Sequence, residues 1–375
     1  RKKFTITVRR GFRFSDGTAV TARNFAFGIN RLFNPRLGSP WTYLFDDIVG
    51  ASDVLDGKAE AVSGVNVRGR KLIIRLEQPR PDLLVRLANP TISATPLDMP
   101  IVPGGVTTPV PSAGPYHLQQ HVEGRLAVFT RNPFWRRKPI LGLQANVHRI
   151  LLERPGLTPK EAIEAVERNE IDLVLAHGAP SEIPRLVSRY GVNRNRLFRR
   201  PRLTFFRLVF NLDRPLFSGN AELRRAINYA LDRPEMVRQF GQLVGTPTDQ
   251  ILPPGMPGYR NWDLYPLKGP NLKKARALAR GNLRQANASL YIRRPIAEFF
   301  ARPVAESARL NLAQIGLEVD IEEVPNIFQR LRTPGEPWDM ALIGWFADYP
   351  DPFNFINDLL TGDENNFGHF KHAGF

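Results

Sequence analysis

The longest apolar runs of this chain, such as Met340 to Ala347, have the length of a buried strand and fall well short of the roughly 18 residues that a membrane-spanning helix needs. A chain built this way is expected to fold around buried strands and to cross no bilayer. Met340 to Phe346 also runs straight into Ala347-Asp348, which sets a carboxylate where a hydrophobic strand emerges. Trp345, Tyr349, Pro350 and Pro352 make the loop aromatic and stiff, as suits a ligand wall. Read alone, an Asp in that place is more often a loop or capping residue.

The rest of the chain alternates strand and helix patterns. Phe4 to Val8 alternates as a half-buried strand, Ser15-Asp16-Gly17 is a turn, and Thr21 caps a helix through about Leu32, with Val20 stapled onto Phe25. Lys71 to Leu76 reads as a strand, and Asn89 to Pro115 has loop chemistry, which places a boundary near Ser112. Leu126 to Thr130 is a further strand. Thr158, Pro159 and Glu161 form a capping box ahead of an apolar stripe, and Ile171 to Leu175 is expected to return as a buried strand. Phe205 to Phe210 is a nearly continuous apolar strand, and Leu223 to Leu231 follows at helical spacing, with a second boundary close to Leu212–Pro215. Helices from about Leu272 and Pro295 stop at Gly281 and Gly316, and Leu317, Val319 and Ile321 alternate with acidic residues as a strand with one wet face. This is α/β character throughout.

A length of 375 residues exceeds what one core sustains, and 42% apolar with 23% charged residues is ordinary for globular domains. With no cysteine, the chain has neither disulfides nor thiolate chemistry. The net charge of +16 raises nucleic acid as a partner, but the Arg and Lys residues are scattered, their longest run being Arg136-Arg137-Lys138, so none is expected. Phosphate-cradling, nucleophile-elbow and HExxH patterns are all missing, so no enzyme and no cofactor is expected. The pairs His117/His121 and His369/His372 lack a third ligand at motif spacing and read as surface histidines. Asp46-Asp47 and Glu322-Glu323 point to opposite faces if extended and read as solvated charge.

Several blocks, in order, resemble the family 5 extracellular solute-binding proteins that serve oligopeptide, dipeptide and nickel importers. Phe4 to Ala22, with Arg9, Phe14-Ser15-Asp16-Gly17 and Thr21-Ala22, is similar to the family's early FSDG block. Ala113-Gly114-Pro115-Tyr116 with Arg131-Asn132-Pro133 resembles its GPY…RNP block, and Asn169-Glu170-Ile171-Asp172 resembles GEID. Phe210-Asn211, Pro215-Leu216-Phe217 and Arg224 to Arg233 resemble the FN…PPF…VRQAL segment, and Gly344 to Pro352 with Asn365-Asn366 resembles GW-x-ADYPDP…NN.

The resemblance implies a two-lobed α/β clamp of the type II periplasmic-binding-protein kind with an additional α/β domain, closing on its ligand by hinge motion. Residues 1–112 would be the additional domain, 113–212 the first lobe in part, and 213–375 the second lobe. Family members begin earlier and continue further, so pieces of the first lobe, any signal and any lipid anchor are expected outside this sequence. The implied function is that of an extracytoplasmic component of an ABC importer, which passes a peptide to a permease and ATPase complex. The alternative is a sensor of the same fold, fused to a regulatory module. In peptide-binding members the Asp at the place of Asp348 pairs with the ligand's α-ammonium, and Gly344, Trp345, Phe346 and Ala347 belong to the segment that bonds the peptide backbone. Some members carry an Arg for the peptide carboxylate two residues before this Gly. Leu342 stands there, which leaves Arg293 or Arg294 as substitutes.

Overall fold

Alternation and apolar runs become strands largely where the pattern expects them, and their pairing decides what each strand can do. The computed structural model describes residues 1–135, 145–153, 156–174, 180–241, 243–294, 301–361 and 364–371. It divides into two units, Arg1–Leu157 and Thr158–Phe375.

In the first unit, β1 (Lys3–Thr7), β2 (Val65–Arg68) and β3 (Lys71–Arg75) form an antiparallel sheet in the order β1-β3-β2. Helix α1 (Ala22–Phe33) packs on β2 and β3 through a buried stripe that includes Ile29 and Phe33. It starts where Thr21 predicts, because Asn24 Oδ1 accepts hydrogen bonds from both the N–H and the hydroxyl of Thr21. The short helices α2 (Ala51–Leu55) and α3 (Leu83–Arg86) complete this layer. The buried Arg86 grips Asp47 through two nitrogens, at 2.7 and 2.9 Å, and also faces Asp82 at 3.3 Å. Asp47 is therefore the counter-ion of Arg86 and not half of an acidic dyad.

A second antiparallel sheet joins β4 (Tyr116–Val122), β5 (Leu126–Arg131) and β6 (Arg149–Glu153). The motifs near residues 14, 114 and 132 meet beside it. Buried Asn132 donates through Nδ2 to the carbonyls of Ser112 and Gly114, and Phe134 covers Gly17 so closely that a Cβ there would lie 2.9 Å from its ring. These blocks brace the unit, so their residue types follow from packing. A bulge between Leu118 and Gln120 shifts the register, so His117 stands opposite Thr130 and His121 opposite Ala127. The two histidines therefore point to opposite faces, and the shared face that their spacing suggests does not form.

In the second unit, β7 (Thr204–Phe210), β8 (Asn287–Arg293), β9 (Glu318–Val324) and β10 (Met340–Phe346) form a mixed sheet in the order β7-β10-β8-β9. β10 is antiparallel to β7 and parallel to β8, and β8 is parallel to β9. Because β7 pairs into this sheet, the sheet opens before the Leu212–Pro215 boundary read from the sequence.

Helices cover both faces, which is why β10 reads as continuously apolar. On one face Met340, Leu342, Leu290 and Ile292 pack with α6 (Ala221–Ala230), α8 (Leu272–Ala279) and α9 (Ala301–Ala313). On the other, Ala341, Ile343 and Tyr291 pack with α10 (Ile327–Arg332), Trp338 and Phe367, and Phe205 packs with Met256 and α11 (Phe353–Leu360). Helix α7 (Arg233–Phe240) packs on α9, and α4 (Pro159–Glu167) and α5 (Ile183–Tyr190) share a small cluster of Ile163 and Leu186.

The capping box at Thr158 forms as expected. The buried strand expected over Ile171 to Leu175 does not: residues 171–174 are irregular, Leu173 is 75% exposed, and Leu175 lies outside the described residues. A short apolar run becomes a buried strand only where a sheet edge accepts it, and no strand among the described residues pairs with this one. The Arg136-Arg137-Lys138 run, His372 and the start of the helix expected from Pro295 also lie outside the described residues.

Candidate ligand-binding site

Strands β8 and β9 end level with one another at Arg293 and Val324, whereas β10, parallel to β8, runs on past them to Phe346, and its end carries the candidate residues. In β10 the pairing with β7 fixes which main-chain groups are available. The Ala347 N–H donates to the Leu203 carbonyl and the Asn211 N–H to the Asp339 carbonyl, so the odd-numbered residues of β10 face β7. The N–H and C=O of Gly344 and Phe346 consequently turn to the other side, where β8 pairs only with Met340 and Ala341. Beyond Ala341, that edge has no strand partner among the described residues. Trp345 was expected to offer main-chain groups there. Its carbonyl instead faces β7, where it accepts from the Thr204 hydroxyl at 2.6 Å.

Gly344 is dictated by its neighbour across the ladder. A Cβ at Gly344 would lie 2.7 Å from the ring of Phe206, which stands directly opposite. That ring packs 4.8 Å from Phe240 and edge-on to Phe346, which is 53% exposed. The result is an aromatic surface alongside the open edge.

Asp348 is half-buried and held in place by Asn354, which sequence reasoning missed. Asn354 is fully buried in the first turn of α11. Its Oδ1 accepts from the Asp348 N–H at 2.8 Å and from Trp345 Nε1 at 3.4 Å, and its Nδ2 donates to the carboxylates of Asp348 at 2.9 Å and Asp358 at 2.8 Å. Asp351 Oδ1 accepts from the Phe353 N–H, which fixes the turn into α11. The signal for Asn354 is an amide set between Phe353 and Phe355, six residues after Asp348. The carboxylate is thus oriented at one oxygen by an amide while the loop around it is stiffened by prolines.

Arg293 and Arg294 reach the same end of the sheet. Both are exposed; Arg293 lies 5.9 Å over the Phe328 ring of α10, and the main-chain N–H of Arg294 bonds the Val324 carbonyl. Leu342 belongs to the apolar core, on the face away from Trp345. Among the described residues no group of three or more His, Asp or Glu side chains is placed to hold a metal ion, and His369 pairs with Asp213 at 2.5 Å.

A helix-covered mixed sheet with an open strand edge, an aromatic wall and one oriented carboxylate at its carboxyl end has the layout of the α/β proteins whose ligand sites lie beyond the carboxyl ends of their strands. The chain belongs to the bacterial extracellular solute-binding proteins of family 5, whose middle region matches residues 1–367. Members are extracytoplasmic binding proteins and not enzymes.

The periplasmic oligopeptide-binding protein OppA of Salmonella typhimurium is 26% identical over 398 residues, covering 100% of this chain and 69% of the relative. The probable deoxycholate-binding periplasmic protein YgiS of Escherichia coli is also 26% identical, over 394 residues, covering 100% of this chain and 70% of that protein. Among solved structures, the clavulanic acid biosynthesis oligopeptide binding protein 2 superposes with a TM-score of 0.80 at 23% identity, over 100% of this chain and 71% of that one. Haemophilus influenzae OppA in complex with the peptide RPPGFSPFR gives 0.71 at 18% identity, over 100% and 74%. The fold is therefore that of the two-lobed α/β solute-binding proteins.

Proposed function

We propose that this protein captures peptides outside the cytoplasm and delivers them to the permease and ATPase of an ABC importer. The observation that carries this reading is the open edge of β10 at Gly344 and Phe346, which runs into the Asp348–Asn354 cluster. A peptide laid along that edge adds a strand, its backbone bonding the free groups of Gly344 and Phe346 while its α-ammonium meets Asp348. Main-chain bonds do not read side chains, so the protein would accept many sequences, with Trp345, Phe346 and Ala347 forming the wall. The relatives named for oligopeptide binding support this reading. Nothing in the comparisons favours the sensor alternative. Residues 1–112, with the β1–β3 sheet, serve in this reading as the additional domain, with the two lobes drawn from the remainder.

A hydrogen bond to a charged group contributes about 1.5–3 kcal/mol. Asp348→Ala in the full-length protein should therefore weaken peptide binding by roughly ten- to a hundredfold or more. Calorimetric affinities unchanged by the substitution would remove Asp348 from the site.

A further inference from the structure

Arg207 stands on β7 directly opposite Ile343, on the sheet face that also carries Phe205 and Trp345. Its guanidinium carbon lies 5.5 Å from the centre of the Phe205 ring, so the half-buried side chain leans toward the end where β10 runs out into Asp348. Among the described residues, neither a hydrogen bond nor an ion pair reaches this guanidinium. Its surroundings are the apolar clusters of Val209, Ala341 and Ile343 on one side and Phe205, Met256 and Phe355 on the other. Burial pushes it down to about 10, which still leaves it protonated at neutral pH.

Other arginines of this unit show the contrast. Arg214 is met by Asp339, Arg330 by Glu336, and Arg233 by the Thr248 and Asn228 carbonyls. A desolvated cation without a counter-charge is unfavourable, and an anion brought by a ligand relieves it.

We infer that Arg207 pairs with a carboxylate of the bound peptide and so selects ligands that carry one at a set distance from their amino terminus. Arg207 stands opposite Ile343 and its guanidinium leans toward the Phe205–Trp345 pair, and Trp345 is three residues before Asp348. A strand rises about 3.3 Å per residue, which sets the two charges roughly 10 Å apart. An extended peptide covers that span in about three residues. The carboxylate is then the C-terminus of a tripeptide or an acidic side chain at the third position of a longer one. Arg293 and Arg294, both exposed, are the competing cations. The inference rests on the peptide reading above.

The test is calorimetric titration of the full-length protein with tri-alanine, its C-terminal amide, and the amide of Ala-Ala-Glu. The wild type should prefer a carboxylate-bearing peptide over the tri-alanine amide by about tenfold or more. If the terminus is read, only free tri-alanine gains; if a side chain is read, the Glu amide gains. In either case Arg207→Met should bring the three within about twofold, with Arg207→Lys keeping part of the preference. The acid-to-amide comparison on the wild type holds even if a variant folds poorly. Equal affinities for all three peptides on the wild type would overturn the inference while leaving peptide binding intact. So would a preference kept by Arg207→Met and lost in Arg293→Met/Arg294→Met. If none of the three binds, the peptide reading and this one fall together.

Discussion

Replacing Asn354 tests whether the carboxylate of the site is prepared before any ligand arrives. Asn354→Ala removes two hydrogen bonds to carboxylates, at 2.9 Å to Asp348 and 2.8 Å to Asp358, each contributing about 1.5–3 kcal/mol. It also takes the acceptor from the Asp348 N–H at 2.8 Å and empties a fully buried position. Since such contributions are not additive, the expected loss is about 3–5 kcal/mol of stability in the unit spanning Thr158–Phe375. Urea unfolding followed by tryptophan fluorescence reads it, and peptide affinity should fall with it because Asp348 is no longer aimed. Asn354→Asp separates hydrogen bonding from volume: it sets a third carboxylate against Asp348 and Asp358, which raises the folded-state pKa within the cluster. A group whose folded pKa is raised contributes stability at low pH that is lost as pH rises. The deficit of Asn354→Asp should therefore grow between roughly pH 4 and 7, whereas that of Asn354→Ala should change little over the same range. The reasoning is refuted if Asn354→Ala unfolds and binds within about 0.5 kcal/mol of wild type.

Three further outcomes are expected. Gly344→Ala forces its Cβ to within 2.7 Å of the Phe206 ring and should cost about 1–3 kcal/mol, and adding Phe206→Ala should recover much of it in a double-mutant cycle. Arg86→Ala takes the closer cation from Asp47 and Asp82 and leaves them Arg80, at 3.7 and 3.4 Å; it should cost about 3–5 kcal/mol by denaturant titration, where a loss below about 1 kcal/mol would contradict the burial argument. The hydrogen bond from Arg185, with that from Tyr190 and the charge of Arg189, holds the Glu167 carboxyl below its usual range. That stabilisation is present above pH 4.5 and lost as pH falls through the folded pKa. Glu167→Gln should lose about 1 kcal/mol at pH 7, Arg185 and Arg189 being largely in water, and converge with wild type in acid melts.

What the sequence makes legible here is local. Thr21 and Thr158 start their helices because caps act within one turn, and Met340–Phe346 is a strand because its apolar run fits nothing else of that length. What it leaves dark is set by partners far away in the chain. The small residue at Gly344 follows from Phe206, Asn132 owes its place to carbonyls at Ser112 and Gly114, and the face that His121 takes depends on a bulge. Ile171–Val174 has the composition of a strand, and no strand among the described residues pairs with it.

The candidate site follows the same division. The motif locates Asp348, but which atoms of the strand a ligand can use is a matter of parity, and parity comes only from the pairing with β7. A one-residue slip in that pairing would hand the open edge to Trp345 and bury the main chain of Gly344 and Phe346. The side chains lock against such a slip. Phe206 stands directly over Gly344, where a Cβ would lie 2.7 Å from its ring, so the native register sets the one residue of β10 without a Cβ beneath that ring. The glycine that looks like a mark of ligand contact thus has a second cause: it gives Phe206 room in the register that leaves the edge of β10 open.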